Sequence, residues 1–252
     1  MNPTVLDISI FWPALIAGLL VTATHVPLGA QVLNRGIVFV DLAIAQIAGL
    51  GVICADWLGF ESQGWAVQLS ALTAAIAGAL LLTWTDKRWP EIQEALIGVT
   101  FILAASGALI LLASNPHGAE HLKELLVGQI LWVSPARLPW VAVAYAVILA
   151  IWFKFGTRVG QVGFYLLFAC AVTVSVQLVG LYLVFTTLIV PALATRHFAR
   201  RRLAAGYILG AAGYALGLVV SAWTDWPSGP AIVWVMTALA IVMSMAAPRG
   251  SK

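Results

Sequence analysis

The chain has 252 residues, 62% of them hydrophobic and only 9% charged, with a mean hydropathy of +0.99. Soluble domains carry about 25% charged residues, so this composition excludes an ordinary soluble enzyme or nucleic-acid-binding module and points to an integral membrane protein. A net charge of +3 and a pI near 9.1 would suggest a polyanionic partner for a soluble protein; here the placement of the charges encodes topology instead, and no nucleic-acid partner is expected.

Apolar runs of about 17 to 25 residues recur, the length an α-helix needs to cross the hydrocarbon, whereas a transmembrane barrel would show short alternating segments. The fold class expected is all-α, a polytopic helical bundle of about nine transmembrane helices, with eight as the alternative count, forming a single transmembrane domain over residues 1–252. In chain order the spans are 9–33, 37–58, 65–86, 95–114, 139–155, 162–179, 180–195, 203–223 and 231–248. The N-terminal "MNPTVLDISIFWPALIAG" has no basic region or small-residue cleavage site, so the first span is expected to stay rather than be removed as a signal peptide. The apolar run from Gly163 to Thr195 is too long for one ordinary crossing; it is divided by a turn or broken helix near Gly180. Cys54 and Cys170 lie in separate apolar segments without a CxxC and read as small buried hydrophobes.

Charge tests the count. With nine spans and the N-terminus outside, Arg35, Lys87, Arg88, Lys154, Arg158, Arg196, Arg200, Arg201, Arg202, Arg249 and Lys252 all fall on one side, leaving only Lys123 and Arg137 opposite. The positive-inside rule makes that side the cytoplasm, so the N-terminus is expected in the periplasm and the C-terminus in the cytoplasm. Trp57, Trp132, Trp140, Trp223 and Trp226 gather near the outer segments, where amphipathic rings sit among headgroups. No cytoplasmic segment is long enough for a nucleotide-binding fold, and no glycine-lysine phosphate loop occurs. Any ATP chemistry belongs to a partner.

Three stretches carry a family resemblance: "GAQVLNRGIVFVDLAIAQIAGLG", then "EALIGVTFILAASGALILLAS" with "LLVGQILWVS", and "VTVSVQLVGLYLVFTTLIVPALAT", which is the most specific. Together they span most of residues 29–195, and the chain resembles the permease subunit of bacterial ATP-binding-cassette importers for zinc, manganese and ferrous iron, most similar to the zinc-type branch. The resemblance implies a bacterial inner-membrane protein, a homodimer or a dimer with a sister permease, two cytoplasmic ATPase subunits and a periplasmic metal-binding protein. It also implies alternating access driven by ATP, with no covalent chemistry and no permanent cofactor in this subunit, the divalent metal being cargo. Two departures stand out. Relatives often carry a histidine four residues after the acidic residue of the second helix, and that position is Ala45, with Gln46 beside it. Many relatives also carry a longer acidic helix before the sixth span, where this chain has only "FKFGTRVGQVGF".

Asp41 heads the candidate residues. It sits six residues past Arg35, about 9 Å along a helix, and placing a carboxylate in hydrocarbon costs about 2.5–3.5 kcal/mol even on the lenient insertion scale. An ion pair with Arg35 or a cap on the helix start would explain it; so would a path-lining ligand for a divalent cation, the reading preferred here. His25 precedes Pro27, whose missing N–H disturbs the local ladder, and a neutral imidazole suits zinc. It would replace the ligand absent at Ala45 if the first two helices face each other, while a buried histidine bonded to a neighbouring helix explains it equally well. Gln46, about 140° round the helix from Asp41, reads as an interhelical hydrogen-bonding group outside the ligand shell. Thr173 and Gln177, four apart, line the same path or serve as glue between helices.

"HGAEH" places His117, Glu120 and His121 in the H-x-x-E-H pattern of inverted zinc proteases. No folded domain surrounds it, so a protease is not expected, and a cation-attracting outer mouth competes with an ordinary polar loop. Glu91 and Glu94 follow Lys87 and Arg88 and complement the positive end of the fourth helix. Arg158, Arg196, Arg200 and Arg201 are the candidates for ATPase coupling, with lipid binding by "RHFARRR" as the alternative. The function expected is an ATP-driven importer permease for divalent transition metals, zinc favoured; an ion-coupled carrier acting without an ATPase is the rival.

Overall fold

The computed structural model describes residues 8–60, 64–112, 126, 128–155, 160–198 and 201–246. Among them nine α-helices occur: α1 (Ile8–Arg35), α2 (Val40–Trp57), α3 (Trp65–Arg88), α4 (Gln93–Leu112), α5 (Leu138–Phe155), α6 (Gly160–Val179), α7 (Leu181–Ala194), α8 (Arg202–Thr224) and α9 (Ser228–Ala246). Eight helical segments are long and apolar enough to cross a membrane, and α7 is a shorter apolar helix. At 1.5 Å per residue its 14 residues span about 21 Å, short of the roughly 30 Å hydrocarbon core.

The chain turns where the sequence places the break. Gly180 has φ 85° and ψ 161°, a conformation essentially reserved for glycine. The ends of α6 and α7 fix the direction of that turn. The Arg35 guanidinium at the end of α1 lies 4.3 Å over the ring of Phe164 in the second turn of α6, and Gly29, also near the end of α1, packs on Leu188 in the second half of α7. The start of α6 and the latter half of α7 therefore share one end of the bundle, so the polypeptide reverses at Gly180.

Two packing groups result. α2 packs on α3 and α4, and α3 on α6; α1 packs on α7 and α8, and α9 on α7 and α8. Their shared core includes the fully buried Phe164, Tyr165, Phe168, Tyr145 and Tyr214. Small residues permit close approach on α8, where a Cβ on Gly210 would meet the Thr22 side chain and one on Gly217 would lie 2.5 Å from the Cα of Ile232. Trp132, Trp140 and Trp223 stand about four-fifths exposed on the surface of the bundle.

Boundaries differ from the sequence reading chiefly at α9, which begins at Ser228 rather than 231. Pro230 sits in its first turn, where no intrahelical N–H bond is required, so the proline starts the helix instead of delaying it.

Candidate substrate path

At the start of α2, Asp41 is fully buried and neither carboxylate oxygen has a hydrogen-bond partner. Arg35, the nearest basic residue in sequence, stacks on Phe164 instead, so the ion pair that would have explained Asp41 structurally is not formed. The carboxylate sits beside the amides of the first turn of its own helix. Phe39, which caps α2, offers no side-chain bond. Glu94 reaches across from α4 and accepts the Phe39 N–H at 3.2 Å through Oε1, while its Oε2 is buried without a partner. The sequence reading assigned Glu94 to the dipole of its own helix; the structure adds a second helix start, 55 residues away. The available signal was parity: both acids stand in the first turn of helices that begin at the same end of the bundle.

One turn further along α2, Ala45 and Gln46 line a cavity with Gly49, Ile53, Ala108 and Val176. It is a narrow cleft with room for about one water molecule. Ala45 and Gly49 follow Asp41 at helical spacing, so the cavity runs along the face that Asp41 begins. The small side chains leave the room, and the carboxamide of Gln46 supplies a polar edge. Leu181, just past the Gly180 break, closes the cavity from α7. Thr173 on α6 is buried with its hydroxyl unpartnered, unlike Thr22, Thr83, Thr187 and Thr195, which donate to carbonyls four residues back. Gln177 is half-buried on the same helix.

His25 is fully buried in α1. Its Nδ1 lies 3.0 Å from the Val21 carbonyl oxygen and 2.9 Å from Thr24 Oγ1. The carbonyl only accepts, so Nδ1 carries the proton and Nε2 keeps its lone pair, with no partner. A backbone carbonyl on one ring nitrogen and a free lone pair on the other is the arrangement metal-binding histidines use. Two residues on, Pro27 has no N–H to give the Ala23 carbonyl, and the Tyr207 hydroxyl of α8 donates to it at 3.3 Å. Among the described residues, however, α1 and α2 share no extensive face, so the helix pairing that would bring His25 to Asp41 is absent from this conformation. No group of three or more His, Cys, Asp or Glu side chains suited to a metal occurs among the described residues.

His117, Glu120, His121, Arg158 and Arg200 lie outside the described residues. Arg196 is exposed just past the end of α7, its Nε donating to His197 Nε2 at 2.9 Å. Arg201 caps the start of α8 with φ 66°, and neighbouring Arg202 donates to Asn34 Oδ1 at 3.4 Å, tying α8 to α1 at the basic end.

A bundle with eight helices long and apolar enough to cross a membrane, keeping a carboxylate unpartnered in its interior, defines a polytopic membrane protein. The chain belongs to the ABC 3 transport family, whose sequence profile matches residues 7–159 and 155–247, and is a permease of that family. It is 22% identical to the "High-affinity zinc uptake system membrane protein ZnuB" of Haemophilus influenzae, over 94% of this chain and 97% of that protein. It is 26% identical, over 72% of each chain, to a "Probable iron transport system membrane protein" of the same organism. Its fold matches that of "PsaBC from Streptococcus pneumoniae in complex with Fab" with a TM-score of 0.78 at 20% identity, covering 96% of this chain and 94% of that one.

Proposed function

We propose that this permease carries a divalent transition metal ion, zinc in the first place, from periplasm to cytoplasm through the path that Asp41 begins. The observation that carries the reading is the fully buried, unpartnered carboxylate of Asp41 at the head of a cavity-lining helix face. An ion stripped of water needs such a group, and a fold that had no use for it would be expected to pair it or replace it.

The proposal extends to the assembly. Two copies of this chain form the membrane unit, cytoplasmic ATPase subunits hydrolyse ATP, and a periplasmic binding protein delivers the ion. The basic end of the bundle, with Arg35, Lys87, Arg88 and Arg196, is the cytoplasmic one by the positive-inside rule. Arg196 and Arg201, together with Arg158 and Arg200, transmit the ATPase stroke. His117, Glu120 and His121 form the outer mouth that attracts cations.

Zinc rests on the imidazole of His25, a ligand that zinc accepts more readily than manganese does, and on the similarity to a zinc uptake protein. Competition distinguishes the ions. Uptake of radiolabelled zinc by cells carrying the whole transporter is expected to fall with excess unlabelled zinc and to resist equal manganese or ferrous iron. Stronger competition by manganese would overturn the zinc assignment while leaving the metal path intact.

A further inference from the structure

We propose that Glu94 is the second carboxylate of the metal path, forming with Asp41 a two-acid site through which a divalent cation passes between the buried path and the basic end of the bundle. This inference rests on the reading of Asp41 as a path ligand and names the group with which it works.

Two observations bring the two acids to the same end of the bundle. Glu94 Oε1 accepts the N–H of Phe39, two residues ahead of Asp41. Both oxygens of Asp41 and Oε2 of Glu94 are buried without partners. Neighbouring Gln93 holds this geometry, donating from Nε2 to the Leu82 carbonyl oxygen at 3.0 Å and to Tyr165 at 3.4 Å, which pins the first turn of α4 to α3 and α6.

The chemistry follows from charge balance. One carboxylate leaves a dication half compensated in a medium that penalises net charge, whereas two bring it to neutrality. Burial penalises a bare charge on either acid, and the positive N-terminal ends of α2 and α4 offset only part of that cost. An ion with two positive charges relieves both. Glu94 is half-buried and Phe39 beside it is exposed, while Asp41 is fully enclosed, so the pair bridges interior and water. All donors are oxygens, which makes the site weak for zinc relative to imidazole and suited to release rather than capture.

Glu94→Gln separates this role from the hydrogen bond to Phe39, because the carboxamide oxygen still accepts the N–H while the charge is gone. In the assembled transporter, radiolabelled zinc uptake by Glu94→Gln is expected to show kcat at least about tenfold lower, with KM for the loaded binding protein, membrane abundance and Tm near wild type. Wild-type uptake by Glu94→Gln beside an inactive Asp41→Asn would overturn the inference and leave the Asp41 reading standing. Wild-type uptake by both variants would bring down both. Loss of uptake accompanied by a lowered Tm in Glu94→Gln would make Glu94 a structural cap, and the two-acid site would fall.

Discussion

A methyl group on Gly29 would sit 1.9 Å from the carbonyl oxygen of Leu188, so α1 and α7 are in backbone contact at that level. The obstruction is rigid main chain, not a side chain able to turn away. Gly29→Ala is therefore expected to force the helices apart and to cost about 1–3 kcal/mol, the usual range for overpacking. Thermal unfolding of the purified protein in detergent would show a lower Tm; an unchanged Tm would mean that the two helices separate freely.

Gly180 presents a different constraint, one of backbone rather than space. With φ 85° and ψ 161°, any side chain there imposes strain of about 1–3 kcal/mol. Gly180→Ala is expected to lower both Tm and transport, because the turn sets the level of Leu181 at the cavity. Unaltered transport would show that the reversal tolerates another geometry.

Asp41→Asn removes the charge and leaves the shape. Since no partner is lost, membrane insertion and complex assembly should persist, while metal uptake should vanish. Immunoblots of the membrane fraction alongside uptake make the comparison, and normal uptake would sink the ligand role.

Ala45 lines the cavity one turn beyond Asp41, and Ala45→His would put an imidazole on the same face. Tighter zinc binding with slower release is expected, read as a lower KM and a lower kcat together. A rise in KM would place the cavity off the route of the ion.

The lattice of helices was legible in the sequence because it rests on local properties. Apolar length set the spans, and the charge count demanded a reversal inside the long run from Gly163 to Thr195, which Gly180 supplies. Asp41 was legible because an acid in an apolar helix is conspicuous alone. The partners of these residues were not legible, since they depend on which helices meet. His25 needed α1 to face α2, yet α1 packs on α7 and α8. Arg35 found an aromatic ring instead of Asp41, and Glu94 took the start of α2 as well as its own helix. Gln46, set aside on helical angle, lines the cavity because a cavity wall is wider than one stripe.

The most direct test of the central claim is uptake of radiolabelled zinc by cells expressing this permease with its ATPase, intact or unable to hydrolyse ATP. The account predicts that uptake disappears with hydrolysis while both complexes assemble. Equal zinc uptake in the two would contradict it and identify a carrier that works without the ATPase.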